Sequence, residues 1–283
     1  MSRALDIALP GGPYAVALGP DGAAWVTLVR SGEIARIAPG GGLDVYPVHP
    51  QSKPSIIVAG PDGAMWFTRN GDDRIGRIAV DGTQSEIELR DGSAPFGLCV
   101  GPDEALWFTT MTSGTVSRIG AGDEVDVVAV PGGSPAMITA GPDDAMWFTL
   151  NQNSAVGRVD MAGTMSIRPT PTPSAGPVGI AATHDDAVWF TEIQAGKLGR
   201  IPMNEAIQEL ELPGKPHAVV ADQADGVWVS LWETDQLARV SADGEVTMID
   251  LPAGSEPHGL AMAADGALWV ALEAGYVLRL PTG

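Results

Sequence analysis

Cysteine is almost missing from this chain: Cys99 stands alone among 283 residues. A single thiol cannot build a disulfide framework, which fits a reducing compartment. Positive charge is also scarce, with 16 Lys and Arg against 35 Asp and Glu and a formal net charge of -19. An acidic surface repels phosphate backbones and anionic lipid, so no nucleic acid and no membrane partner is expected, and the charge serves solubility. No apolar run approaches the roughly 18 residues of a membrane helix. The opening residues Met1-Ser2-Arg3-Ala4-Leu5 contain no apolar h-region, so a signal peptide is not expected and a cytoplasmic location is. There is no Gly-x-Ser-x-Gly elbow, and Cys99 lies in an apolar run as a small core residue rather than a nucleophile.

Glycine (36) and proline (23), by contrast, are plentiful, as many tight turns between short strands require. They recur in order. Prolines 13, 54, 95, 135, 177, 216 and 257 each stand twelve residues before tryptophans 25, 66, 107, 147, 189, 228 and 269. The period drifts only between 39 and 42 residues. Seven copies of about forty residues, each with four short β patterns, spell a seven-bladed β-propeller, all-β, filling residues 1–283 as one domain.

The third copy shows the pattern. Residues 96–100 read as a buried inner strand and Gly101-Pro102-Asp103-Glu104 as a turn. Residues 105–109 form the tryptophan strand, Thr115 to Ile119 a third and Val125 to Val130 a fourth. Arg36, Arg77, Arg118, Arg158, Arg200, Arg239 and Arg279 recur at one third-strand position, which points to a structural role, with the stem packed between blades. The last copy stops after its third strand, while Leu5 to Pro10 reads as a lone fourth strand. Pairing the two closes the ring and removes both open edges, so no partner is needed for stability and a monomer is expected.

Strand direction then brings three sets of residues to one rim of the central channel: those just before each proline, those just after it, and those four past each tryptophan. Polar chemistry gathers on three consecutive blades. Glu256, His258 and Glu273 fall in the seventh, Lys215 and His217 in the sixth, and Tyr14 in the first. Trp232 and Phe96 share the same rim. His49 and His184 fall in an outer connection and a turn, and read as exposed. Two facing carboxylates repel unless a cation lies between them or one is protonated. Oxygen ligands suit a hard ion such as Mg²⁺ or Ca²⁺. A histidine beside them, with an ordinary pKa near 6.5, suits proton abstraction at neutral pH. The same spacing also allows a plainer arrangement, with two separate solvated acids and histidines that merely line a channel.

These residues, with the Gly-Pro-Asp-Gly turns and the Leu-Trp-Phe-Thr strand, resemble the virginiamycin B lyase (streptogramin B lyase) family over essentially the whole chain. The family's Glu-Pro-His and Leu-Glu of the last blade are matched by Glu256-Pro257-His258 and Leu272-Glu273, its sixth-blade Pro-His by Pro216-His217, and its first-blade tyrosine by Tyr14. The resemblance implies a Mg²⁺-dependent carbon–oxygen lyase that linearises cyclic depsipeptide antibiotics by elimination. It implies that Glu256 and Glu273 hold the metal, that His258 is the general base, and that His217 and Tyr14 contact the substrate or orient its ester. Trp232 and Phe96 are then candidates for packing against an apolar cyclic peptide. Two other readings are a metal-dependent lactonase on a similar propeller and a non-catalytic propeller that binds a peptide on its rim.

Overall fold

The computed structural model describes residues 5–120, 122–203, 205–224 and 226–282. Residues 1–4, where the missing h-region was read, lie outside it. Seven four-stranded antiparallel sheets form the ring. Blade 1 runs outward through Pro13–Leu18, Ala24–Leu28, Glu33–Ile37 and Leu43–Pro47. Blade 6 uses Pro216–Ala221, Val227–Leu231, Gln236–Val240 and Val246–Asp250. Blade 7 uses Pro257–Met262, Ala267–Leu272 and Tyr276–Pro281, and takes Leu5–Ala8 as its outer strand. That strand pairs antiparallel in the register Asp6↔Leu278 and Ala8↔Tyr276, the closure expected from the sequence. Among the described residues the helical structure is a 3-10 turn at Trp232–Thr234, and no helix is long and apolar enough to cross a membrane.

The second strand of each blade is buried along its length because both of its faces meet protein. Its tryptophan packs into the neighbouring blade: Trp269 joins Val26 and Leu28 of blade 1, and Trp25 joins Ile57 and Phe67 of blade 2. The turn aspartate organises the other side. Asp21 Oδ1 accepts from Trp25 Nε1 at 3.2 Å, and its Oδ2 accepts from Arg36 Nε at 2.7 Å. Burial pushes this carboxyl up, but those hydrogen bonds outweigh it and hold Asp21 below the usual carboxylate range. The recurring arginine is therefore structural, as expected, but its guanidinium is engaged within its own blade, by the turn aspartate and, at 5.8 Å, by the Trp25 ring.

Every inner strand shifts register just after its proline. The hydroxyl two residues past the tryptophan fills that irregularity. Thr27 Oγ1 accepts from Ala15 N at 3.0 Å and donates to Ser55 O of the next blade at 2.8 Å. Thr149 and Thr191 repeat the clip onto Val178 O and His217 O. Blade 7 carries Ala271 there and closes on blade 1 differently. A Cβ on Gly259 would lie 2.6 Å from Ala15 Cα, so only glycine lets these two backbones approach.

Candidate active site

The rim geometry follows from the pairing of each proline with the residue three past its tryptophan. In blade 7 Pro257 faces Leu272, and Glu273 N then donates to Glu256 O at 3.0 Å. The two glutamates are thus neighbours through their own backbones. Glu256 holds φ +50, a left-handed conformation that side-chain-bearing residues rarely adopt. Asp235 fixes it there: its Oδ1 accepts from Glu256 N at 2.9 Å and its Oδ2 from Gly254 N at 2.7 Å. Asp73 anchors Gly92 and Ala94 in the same way, so the loop is a repeat device whose cargo here is a carboxylate.

Ring closure brings the other expected residues to these acids. His258 Nε2 lies 2.6 Å from Glu273 Oε2. The His258 ring is 4.8 Å from Tyr14, 4.6 Å from His217 and 6.4 Å from Trp232, between centroids. Tyr14 is in turn 6.3 Å from Phe96. Tyr14, Phe96 and His217 also line the mouth of an axial cavity of about 430 Å³ whose walls below them, such as Ile56, Val58, Leu98 and Met137, are apolar. Part of the plainer reading therefore holds, since His217 does line the channel, but Glu273 is not a separate solvated charge.

A residue the sequence analysis passed over stands between the two acids. Arg30 Nη2 is 2.9 Å from Glu273 Oε1 and 3.6 Å from Glu256 Oε2, and Arg30 Nε donates to Glu273 Oε1 at 3.1 Å. Counting four past Trp25 stops at Val29, one residue short. The signal that could have found it is charge balance: among the residues five past each tryptophan, blade 1 alone presents a cation.

Burial dominates the electrostatics. It lowers the His258 pKa to about 4, with the Arg30 charge acting in the same direction. It lowers His217 to about 3, aided by His258 and opposed by Glu273. Both imidazoles are neutral at pH 7, well below the ordinary 6.5 that the sequence alone suggests. The close Glu273 carboxylate would favour a charged His258, but it approaches off the hydrogen-bonding direction of Nε2 and is itself compensated by Arg30. Burial, and then Glu273, push the Tyr14 phenol up, so it keeps its proton. His258 Nδ1 and Nε2, His217 Nδ1 and Trp232 Nε1 are buried without a hydrogen-bond partner. Such atoms converging on one rim mark a surface built to meet a ligand.

The donor set fits a hard divalent ion. Two carboxylates already converge on one positive charge, and Mg²⁺ commonly takes one or two carboxylates with substrate and water completing its shell. No group of three or more His, Cys, Asp or Glu that could hold a metal occurs among the described residues. His49 and His184 are exposed and away from the site, as expected. Cys99 packs beside a core cluster, and burial pushes its thiol pKa up, as for an inert residue.

Comparison with known proteins places the whole chain among relatives of one kind. Residues 4–280 match the virginiamycin B lyase family. A virginiamycin B lyase of Mycolicibacterium smegmatis is 71% identical over 281 residues, covering 99% of this chain and all of the relative. The solved selenomethionine-substituted virginiamycin B lyase from Staphylococcus aureus is 32% identical, with a TM-score of 0.95 over 99% of both chains. A catalytically inactive variant of that Staphylococcus aureus enzyme, solved with quinupristin, superposes with a TM-score of 0.94 at 31% identity over 99% of both chains. With this match running the length of the chain and the seventh-blade acids and histidine gathered on one rim, the protein belongs to the virginiamycin B lyase family and is a lyase.

Proposed function

We propose that this lyase opens cyclic depsipeptides of the streptogramin B type by elimination at the ester, with His258 as general base and Glu256 and Glu273 holding Mg²⁺. The observation that carries the reading is a buried, neutral His258 whose Nε2 has no hydrogen-bond partner while a carboxylate waits 2.6 Å away. The quinupristin in the Staphylococcus aureus variant supports the substrate class, and that variant's inactivating histidine-to-alanine change supports a role for a histidine.

Elimination needs one proton acceptor and no water. His258 Nε2 takes the proton from the carbon next to the one bearing the ester oxygen. The C–H electron pair becomes the new C=C bond, and the C–O pair leaves with the carboxylate. The products are a dehydroamino acid and a free carboxylate, and the proton stays on the imidazole. Once charged, His258 is stabilised by Glu273 at 2.6 Å. A bound Mg²⁺ would polarise the ester carbonyl and make the carboxylate a better leaving group. Tyr14, protonated, and neutral His217 can each donate a hydrogen bond that orients the ester. Trp232 and Phe96 offer apolar faces to the macrocycle. Leu5–Ala8 covers the outer edge of Tyr276–Pro281 and closes the ring within one chain, so the proposed working form is the monomer.

The test is incubation with a streptogramin B antibiotic, with and without chelator, followed by mass spectrometry. A ring-opened, unsaturated product of unchanged mass that disappears with chelator is the expected outcome. A product heavier by one water would mean hydrolysis and would sink the elimination. Replacing His258 by Ala should lower kcat by about 10²–10⁴.

A further inference from the structure

The guanidinium of Arg30 occupies the point on which both carboxylates converge. Its side chain is 60% exposed, in contrast to Arg69, whose side chain is 7% exposed between Asp72 and Glu86. Exposed ion pairs are weak and mobile, whereas buried ones are fixed. The path of the Arg30 stem is prepared by Gly12. A Cβ there would lie 2.7 Å from Arg30 Cγ and 3.0 Å from its Cδ. Positive φ alone does not require glycine at this rim position, since Lys53, Ala94 and Glu256 adopt it with side chains. The room at Gly12 is taken up by the arginine that crosses it, as Gly176 in blade 5 is crossed by Gln194.

We infer that Arg30 is a displaceable counter-cation: it keeps Glu256 and Glu273 converged and gives way to a divalent ion, so that guanidinium and ion compete for one pair of carboxylates. This rests on the metal-holding role proposed above. Two like-charged acids joined through their backbones would repel and splay if left alone. A cation tethered on the neighbouring blade holds them near the geometry a metal needs. The same cation raises the metal concentration required, because a unit positive charge within a few ångströms opposes a divalent one.

The test uses Mn²⁺ alone as probe, with free ion followed by electron paramagnetic resonance and no substrate present. The wild-type chain should bind one Mn²⁺. Arg30→Gln should bind it about tenfold tighter, equivalent to about 1.4 kcal/mol. Arg30→Lys, which keeps the charge, should stay close to wild type, and far-UV circular dichroism should show all three folded. Adding Glu273→Gln to Arg30→Gln should remove the binding. Equal or weaker affinity in Arg30→Gln would overturn the competition while leaving the metal site standing. Binding that survives Glu273→Gln would place the ion elsewhere and overturn it as well. No Mn²⁺ binding in any variant would remove the metal-holding role, and the competition with it.

Discussion

Replacing Glu192 by glutamine should change how the stability of this propeller depends on pH. Glu192 ends the second strand of blade 5, paired with Pro177 on one side and Lys197 on the other. Of the six equivalent residues, Leu28, Leu150, Leu231 and Leu272 are apolar and buried, while Arg69 and Thr110 are buried but find hydrogen-bond partners. Glu192 is fully buried too, and neither carboxylate oxygen has a hydrogen-bond partner. Burial raises its pKa from 4.5 to about 7, and nearby Glu209 adds to the effect while Lys197 opposes it. Glu209 stays ionised because Thr172 N at 2.8 Å, Thr172 Oγ1 at 2.6 Å and Lys197 Nζ at 3.0 Å all donate to it. The folded chain therefore keeps a proton on Glu192 that the unfolded chain releases above 4.5. Stability from this group is full at low pH and is lost as pH rises through about 7. The gap corresponds to about 3 kcal/mol at about 1.4 kcal/mol per pH unit. Glutamine keeps the shape and cannot ionise. Urea unfolding of both chains at pH 5 and pH 8 gives the difference in free energy, in which titrations common to both cancel. Glu192→Gln should gain on wild type by about 2.5 kcal/mol between those two pH values, because pH 5 already lies above the unfolded value of 4.5. A difference that stays flat would show that Glu192 is ionised in the folded state and would refute the reasoning.

The pH profile of turnover tests the site in the same terms. The base works unprotonated, so kcat/KM should rise through about 4, the pKa of His258, and then stay level through neutrality. An acid limb near the ordinary 6.5 would show that burial and Arg30 do not act on the imidazole. The inter-blade clip is tested by Thr149→Val. The hydroxyl is buried, accepts from Met137 N at 3.1 Å and donates to Val178 O at 2.7 Å. Valine leaves both backbone groups unpaired, so chemical denaturation should show a loss of about 2–4 kcal/mol. A loss below about 0.5 kcal/mol would mean that the irregularity after each proline is satisfied without the hydroxyl.

What could be read from the sequence was what repeats. The proline-to-tryptophan offset fixes the turn and the inner strands of every blade, and the unpaired strands at the two ends call for closure. Strand direction then puts Tyr14, His217, His258, Glu256 and Glu273 on one rim. The partner of the recurring arginines was not legible, because Asp21 and Arg36 meet across a hairpin whose local geometry decides which oxygen faces which nitrogen. Nor was the depressed pKa of His258, which depends on burial by blades distant in sequence. Arg30 was hidden for a related reason: 243 residues separate it from Glu273, and the contact exists only once the ring has closed. One inference did survive from sequence to structure with its logic intact. Glu256 and Glu273 are the only rim pair in which both members carry the same charge. Two such residues held together by a backbone hydrogen bond call for a cation between them or a proton on one of them. The fold supplies the cation from blade 1, on a long exposed arm.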